Sequence, residues 1–192
     1  MPVVRYHAAH HRYEVEGRNV PGVSALISEA GLLGPVSQFY NEDAAERGSR
    51  IHRACLAHDL DAQLHVEDDN ERAMLVSYIA WSRRAQPRWA YLEQPAYSTR
   101  YGFAGTADRI GMLNGRAVIL DIKTGAVRGK PQPWHGVQLA LYDLLYPFPL
   151  RRQRFGLYLT SGKGLPRIVE YTDTNDYNVA LSLVPSGGGY RT

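Results

Sequence analysis

Apolar and polar positions alternate between two periods along this chain. The clearest stretch is a pair of apolar runs, 103–113 and 116–124, joined by Asn114-Gly115. Asn-Gly between apolar runs is the strongest short hairpin signal. A two-residue turn there places Leu113 opposite Arg116, Ile110 opposite Ile119, and Asp108 opposite Asp121. Residues 117–120 are apolar without interruption, which predicts a central strand buried on both faces. Residues 92–99 predict a further strand before this hairpin, and 154–160 and 167–171 predict two more after it.

Helical spacing appears on both sides of this block. Ala44, Gly48, Ile51 and Cys55 fall on one stripe of a helix predicted over 41–59. Gly48 costs that helix roughly 1 kcal/mol relative to Ala, and one use for it is close approach of a neighbouring backbone. A second helix is predicted over 69–86, with Met74, Leu75, Tyr78, Ile79, Trp81 and Ser82 on its buried side and Pro87 as its stop. A third is predicted over 134–145. Near the start, 12–15 and 19–20 flank Gly17 as a small hairpin. Ser24 is the expected cap of a short helix through Ala30, with Gly31 ending it. The order of elements predicts an α/β (mixed α+β) layer fold, with helices flanking a central mixed sheet. It reads as one domain over 1–185: an N-terminal hairpin and helical extension over 1–90, then a core sheet and helix over 91–175. Residues 186–192, Gly-rich, are expected to be a flexible tail.

Composition narrows the class. The chain has 192 residues, 44% apolar and 21% charged, with a formal net charge of +3, which is ordinary for a globular domain. The mild basic balance permits nucleic-acid binding without demanding it. Cys55 is the single cysteine, so a disulfide within the chain and a cysteine-held zinc or iron–sulfur site are both excluded. No run approaches the ~18 apolar residues of a membrane span, and the first residues carry no apolar signal core. The expectation is a cytoplasmic protein without a membrane partner.

The chemistry centres on the hairpin. Like charges directly opposite one another are destabilising, so Asp108 facing Asp121 invites a cation between them. Lys123 lies two residues after Asp121 and projects from the same strand face. Two carboxylates and a lysine suit metal-assisted phosphodiester hydrolysis. A hard divalent cation takes oxygen ligands, polarises a phosphate and acidifies water, and the lysine offsets charge that develops on the phosphate. His52 shares a helix face with Gly48 and is a candidate imidazole ligand. Glu93 faces the same side as Asp108 if Tyr101-Gly102 is a turn. Gln138 and Tyr142, at i and i+4, form one polar face of the late helix.

These segments read Gly48-Ser49-Arg50-Ile51-His52, Gly105-Thr106-Ala107-Asp108-Arg109-Ile110, Asp121-Ile122-Lys123-Thr124-Gly125 and Gln138-Leu139-Ala140-Leu141-Tyr142. In that order and spacing the chain resembles the PD-(D/E)XK nuclease superfamily, within its RecB-like branch. The start, 13–24, resembles phage-type and mitochondrial exonucleases of that group more weakly. The resemblance implies a restriction-endonuclease-like core that cuts DNA. It implies that His52, Asp108, Asp121 and the Ile122 carbonyl bind Mg²⁺ or Mn²⁺. It further implies that Lys123 is catalytic and that Gln138 and Tyr142 complete the site. Asp121 stands where many relatives carry Glu. Cys55 alone rules out the members with an iron–sulfur cluster.

Ordinary explanations compete at single positions. Asp-x-Lys recurs on exposed strands by chance, and a helix histidine is more often just that. His7, His10 and His11 read as a terminal cluster, not a metal site. His135, near the start of the late helix, reads as surface or substrate-facing. Arg83, Arg84 and Arg88, and likewise Arg151, Arg152 and Arg154, read first as solvated faces and second as phosphate contacts. Trp134 and Tyr101 read as packing residues near the site. The combined expectation is a metal-dependent DNA nuclease, an exonuclease in replication, recombination or repair in a bacterial or phage-infected cell. Its alternatives are a structure-selective endonuclease and a non-catalytic DNA-binding subunit that keeps the fold. No Gly-x-x-x-x-Gly-Lys-Ser/Thr run occurs, so a separate helicase, recombinase or single-strand-binding protein is the expected partner.

Overall fold

Asn114 and Gly115 both have positive φ, 50° and 77°, as a tight hairpin turn of this hand requires. The computed structural model describes residues 2–7, 12–34, 42–124, 131–146, 152–162 and 164–185. The tail over 186–192 and the histidines His10 and His11 lie outside them, as do Gly125 and Arg151. In chain order, β1 (Val4–His7), β2 (Arg12–Val15) and β3 (Arg18–Val20) form a small antiparallel sheet. Helices α1 (Val23–Glu29), α2 (Glu42–Asp59) and α3 (Asp69–Ala85) follow. Then come β4 (Arg88–Leu92), β5 (Pro95–Ser98), β6 (Phe103–Thr106), β7 (Arg109–Leu113) and β8 (Arg116–Lys123). The chain continues through α4 (Pro133–Leu144), β9 (Gln153–Tyr158), β10 (Arg167–Glu170) and α5 (Asn175–Leu183).

The main sheet has the order β10-β9-β8-β7-β4. Its β8–β9 pair is parallel, with α4 in the crossover, and its other pairs are antiparallel. β8 therefore lies in the middle, and its successive residues feed two cores. Ile119 packs with Val23, Ile27, Phe103 and Leu141 on the side of α1, α4 and α5. Leu120 and Ile122 pack with Ile51, Cys55, Tyr78 and Trp81 on the side of α2 and α3. Each such fully buried aliphatic side chain contributes about 1.5–3 kcal/mol, so the charged end of β8 is anchored from both faces.

The α2 and α3 boundaries fall within one residue of those predicted, and α4 is displaced by one. α3 starts on an Asp68 cap that accepts from the Glu71 amide at 2.9 Å, a favoured way to satisfy a free helix amide. Glu71 in turn pairs with Arg50 of α2 at 2.7 Å. Ser24 is not a cap. α1 begins at Val23 after Gly22, with no side-chain cap. Gly22 bridges Ala104, and a β-carbon on it would lie 2.9 Å from the Tyr13 ring. Close backbone approach, not a hydroxyl, sets this helix start.

Both long strands expected before the Asn-Gly turn are broken. The stretch over 92–99 divides at Glu93, whose φ of 47° leaves the strand region. The stretch over 103–113 divides at Ala107-Asp108. β5 and β6 pair with each other as a two-stranded ribbon, while β4 and β7 pair within the main sheet. β1 and α5 had no counterpart among the predicted elements. α5 is held by Arg154 to Asp176 at 2.9 Å and by Tyr177 to Asp143 at 2.8 Å. Arg152 and Arg154 are thus buried ion-pair partners of Asp143 and Asp176, not a solvated basic face. Arg83, Arg84 and Arg88 are exposed. Among the described residues no helix is long and apolar enough to cross a membrane.

Candidate active site

The hairpin register holds to its last rung. Ile110 pairs with Ile119, and Arg109 pairs with Leu120. Asp108 comes next but lies in a bend outside the ladder, so it does not form a strand pair with Asp121. Leaving the ladder frees its side chain to reach across: Asp108 Oδ2 accepts from the Ile122 amide at 2.6 Å. The carbonyl of the same Ile122 meets His52 Nε2 at 3.0 Å. His52 Nδ1 closes the circuit at 3.4 Å from Asp108 Oδ1. The backbone of one residue of β8 thus touches both the α2 histidine and the carboxylate just before β7.

His52 reaches this point because α2 lies close against the end of β8. A β-carbon on Gly48 would sit 3.3 Å from Thr124 Oγ1, so the predicted close approach involves a side chain and not backbone. Glu93 joins the group through the break in the strand. Its amide donates to the Asp108 carbonyl at 3.1 Å. One ligand atom each from His52, Glu93 and Asp108 lie within 4.8 Å of one another.

Asp121 and Lys123 project to the α4 side. Lys123 Nζ is 2.6 Å from Asp121 Oδ2 and donates to Gln138 Oε1 at 2.7 Å. Gln138 Nε2 faces Tyr142 Oη at 3.4 Å, a long contact. The Trp134 ring lies beneath Lys123, 5.3 Å from Nζ, at cation–π range. Gly105 allows α4 this close, since a β-carbon there would meet the Tyr142 ring at 3.2 Å and Val23 at 2.7 Å. Tyr101 packs against the same core, with Arg100 over its ring at 5.1 Å. His7 stands away from the site, 3.4 Å from Glu14.

The electrostatics follow from burial. Burial alone would lower the His52 pKa, but the Asp108 carboxylate, with Asp121 and Glu93 behind it, outweighs this and lifts it to about 9. Burial pushes Asp108 up, yet His52 and the Ile122 amide bring it below the ordinary carboxylate range. Burial and Asp108 together raise Asp121 against the pull of Lys123. Glu93 is raised by burial and Asp108, against Arg109 and His52. Three carboxylates therefore crowd a low-dielectric site and penalise one another's charge. Without a proton on His52 the site is short of positive charge. Carboxylate oxygens, a carbonyl and an imidazole are a donor set that fits a divalent cation.

Several polar groups around the site were not foreseen. Arg109 is wholly buried and pairs with Asp59 at 2.6 Å and Glu93 at 3.0 Å. Its place inside the apolar stretch 109–113 was the available signal. His135 is buried, not surface-facing, and its Nδ1 meets Tyr158 Oη at 2.6 Å. Burial, with Lys123 nearby, takes its pKa down to about 3, so it stays neutral.

No curated protein matches the chain. The crystal structure of SSO0001 shares 16% identity, covering 71% of this chain and 82% of that one, at a TM-score of 0.37. The family model of the PD-(D/E)XK nuclease superfamily matches residues 29–151, a span from α1 past α4 that takes in His52, Glu93, Asp108, Asp121, Lys123, Gln138 and Tyr142. The mixed sheet with its flanking helices is consistent with the restriction-endonuclease-like core of that group, and the chain belongs to the PD-(D/E)XK nuclease superfamily.

Proposed function

We propose that the chain is a Mg²⁺- or Mn²⁺-dependent DNA nuclease of the RecB-like branch, acting as an exonuclease in replication, recombination or repair. The observation that carries this reading is the shared Ile122 backbone. Its amide holds Asp108 and its carbonyl meets His52, while Asp121 and Lys123 on either side of it form an ion pair. Asp108, Asp121, His52 and the Ile122 carbonyl hold the cation, with Glu93 beside them. When bound, a divalent cation supplies Lewis acidity toward the scissile phosphate and acidifies water.

The remaining work falls to the chain's own side chains. Lys123 presents its ammonium to the phosphate and offsets charge that accumulates on its oxygens. Asp121 and Gln138 fix the ammonium from two directions. Tyr142, behind Gln138, keeps the amide oxygen aimed at Lys123. Trp134 covers the lysine and limits water around it. The exposed Arg83, Arg84 and Arg88 are available for backbone phosphates, which is how nucleic-acid-binding proteins gain most of their affinity.

The test uses end-labelled linear single- and double-stranded DNA with Mg²⁺ or Mn²⁺, with EDTA as control and circular single-stranded DNA alongside. Expected is a metal-dependent ladder from one end, with the circle intact. A nicked circle would replace the exonuclease with an endonuclease. DNA binding without cleavage in any divalent metal would leave a non-catalytic subunit.

A further inference from the structure

Arg109 is the largest of the fully buried side chains, and it touches every element that delivers a member of the His52–Glu93–Asp108 group. Its Nε donates to Asp59 Oδ2 at 2.6 Å. Its Nη1 donates to Glu93 Oε1 at 3.0 Å and to the Asp108 carbonyl at 2.8 Å. Asp59 also accepts from Tyr78 Oη at 2.6 Å, which brings in α3.

A guanidinium is costly to bury, and packed apolar residues often serve stability as well or better. This one is not fully satisfied, because its Nη2 has no hydrogen-bond partner among the described residues. Stability alone is therefore a weak reason for it. What it contacts suggests another. Asp59 follows His52 by seven residues, two turns along α2, and so shares its face. Anchoring Asp59 sets α2 against β7 and thereby His52 against Asp108. Glu93 has a φ of 47°, a left-handed conformation that is unfavourable for a residue with a side chain. Strained positions persist where their surroundings over-determine them. Here the Asp108 carbonyl holds the Glu93 backbone and Arg109 holds its carboxylate. Arg109 takes Oε1, while Oε2 makes no hydrogen bond among the described residues.

We infer that Arg109 is a positioning residue for cation binding: it aims the Glu93 carboxylate into the group formed with His52 and Asp108, and it ties that group to α2 through Asp59. This rests on the reading of the site as a divalent-cation site. Residues that orient ligands from behind affect metal affinity by about 10–100-fold.

The experiment is Mn²⁺ titration by calorimetry on the full chain, without DNA, for wild type, Arg109→Lys, Glu93→Gln and the double variant. Lysine keeps the charge but cannot bridge Asp59 and Glu93 together. Expected is about a tenfold loss of Mn²⁺ affinity in each single variant. The double variant should be no weaker than Glu93→Gln alone, since both act through one carboxylate. A lower melting temperature with unchanged Mn²⁺ affinity in Arg109→Lys would make the residue purely structural and overturn the inference. Additive losses in the double variant would overturn it too. If Arg109→Lys does not fold, Asp59→Asn replaces it in the same cycle, with about a threefold loss expected and unchanged affinity counting against. Wild type that takes up no Mn²⁺ overturns the cation reading along with this inference. Uptake by wild type with Arg109→Lys unchanged overturns the inference alone.

Discussion

The two faces of β8 meet the site in different ways. On the α2 and α3 side, three elements distant in sequence converge: His52 from α2, Glu93 from the break after β4, and Asp108 from the bend before β7. Charge ties them together through the buried Arg109–Asp59 pair, 2.6 Å apart. On the α4 side, Asp121 and Lys123 come from one strand, and Gln138 and Tyr142 come from one helix at i and i+4. Local periodicity sets this second half, and among the described residues the hydrogen bond of Lys123 to Gln138 at 2.7 Å joins strand to helix. The difference separates tasks. The first half is charge-dense and rigidly tied, which suits holding a cation. The second lends the cation one carboxylate, Asp121, and sets a positioned ammonium against a polar wall, which suits answering charge on a phosphate.

The comparison can be broken at its cation half first. Asp108→Asn should cost about 10³-fold in cleavage and weaken Mn²⁺ uptake, as measured by single-turnover kinetics and calorimetry. Full cleavage by this variant would remove Asp108 from the site. Next in size is stability. Asp59→Ala leaves Arg109 buried without its main partner and should cost about 3 kcal/mol in urea unfolding. A loss below about 1 kcal/mol would mean that the charge network does not tie this half together.

Titration sharpens the same half. The His52 pKa is raised to about 9 from an ordinary 6.5. In the metal-free protein its stabilising contribution is complete below about pH 6.5 and is lost as pH rises through about 9. Cation binding needs the neutral imidazole, so Mn²⁺ affinity should rise about tenfold per pH unit up to about pH 9. His52→Gln should flatten that slope, and a slope that persists in the variant would assign the proton to another group. The smallest effect is expected on the α4 side. Gln138→Ala should reduce cleavage about tenfold while leaving Mn²⁺ affinity unchanged. Weakened metal uptake in that variant would blur the division of tasks.

The two halves also differ in how much of them the sequence shows. Asn114-Gly115 determines the register as far as Arg109 and Leu120, so the nearness of Asp108 and Asp121 was legible, although the strand pairing expected of them does not form. The Gln138–Tyr142 face and the Gly48–His52 face follow from helical spacing. The bend at Ala107-Asp108 and the positive φ of Glu93 were not legible. An apolar run such as 103–113 reads as one strand until its two ends find different partners, β5 and β4. Arg109 was hidden for a related reason: its partner Asp59 lies fifty residues away, and no periodicity links a strand residue to a helix end. α5 was missed because its apolar stripe of Tyr177, Ala180 and Leu183 is short, and because the contacts that hold it, the Tyr177 hydrogen bond to Asp143 of α4 and the Arg154–Asp176 ion pair to β9, join residues that only the fold brings together.

The most direct test of the division of tasks is the pair of measurements on Lys123→Ala: Mn²⁺ affinity without DNA, and cleavage of end-labelled DNA with Mn²⁺ present. The account predicts that Mn²⁺ affinity stays at or above the wild-type value, since a neighbouring positive charge is gone, while cleavage falls by about 10²-fold or more. Unimpaired cleavage by Lys123→Ala would contradict the role given to that lysine, and loss of Mn²⁺ binding with it would contradict the separation of the two halves.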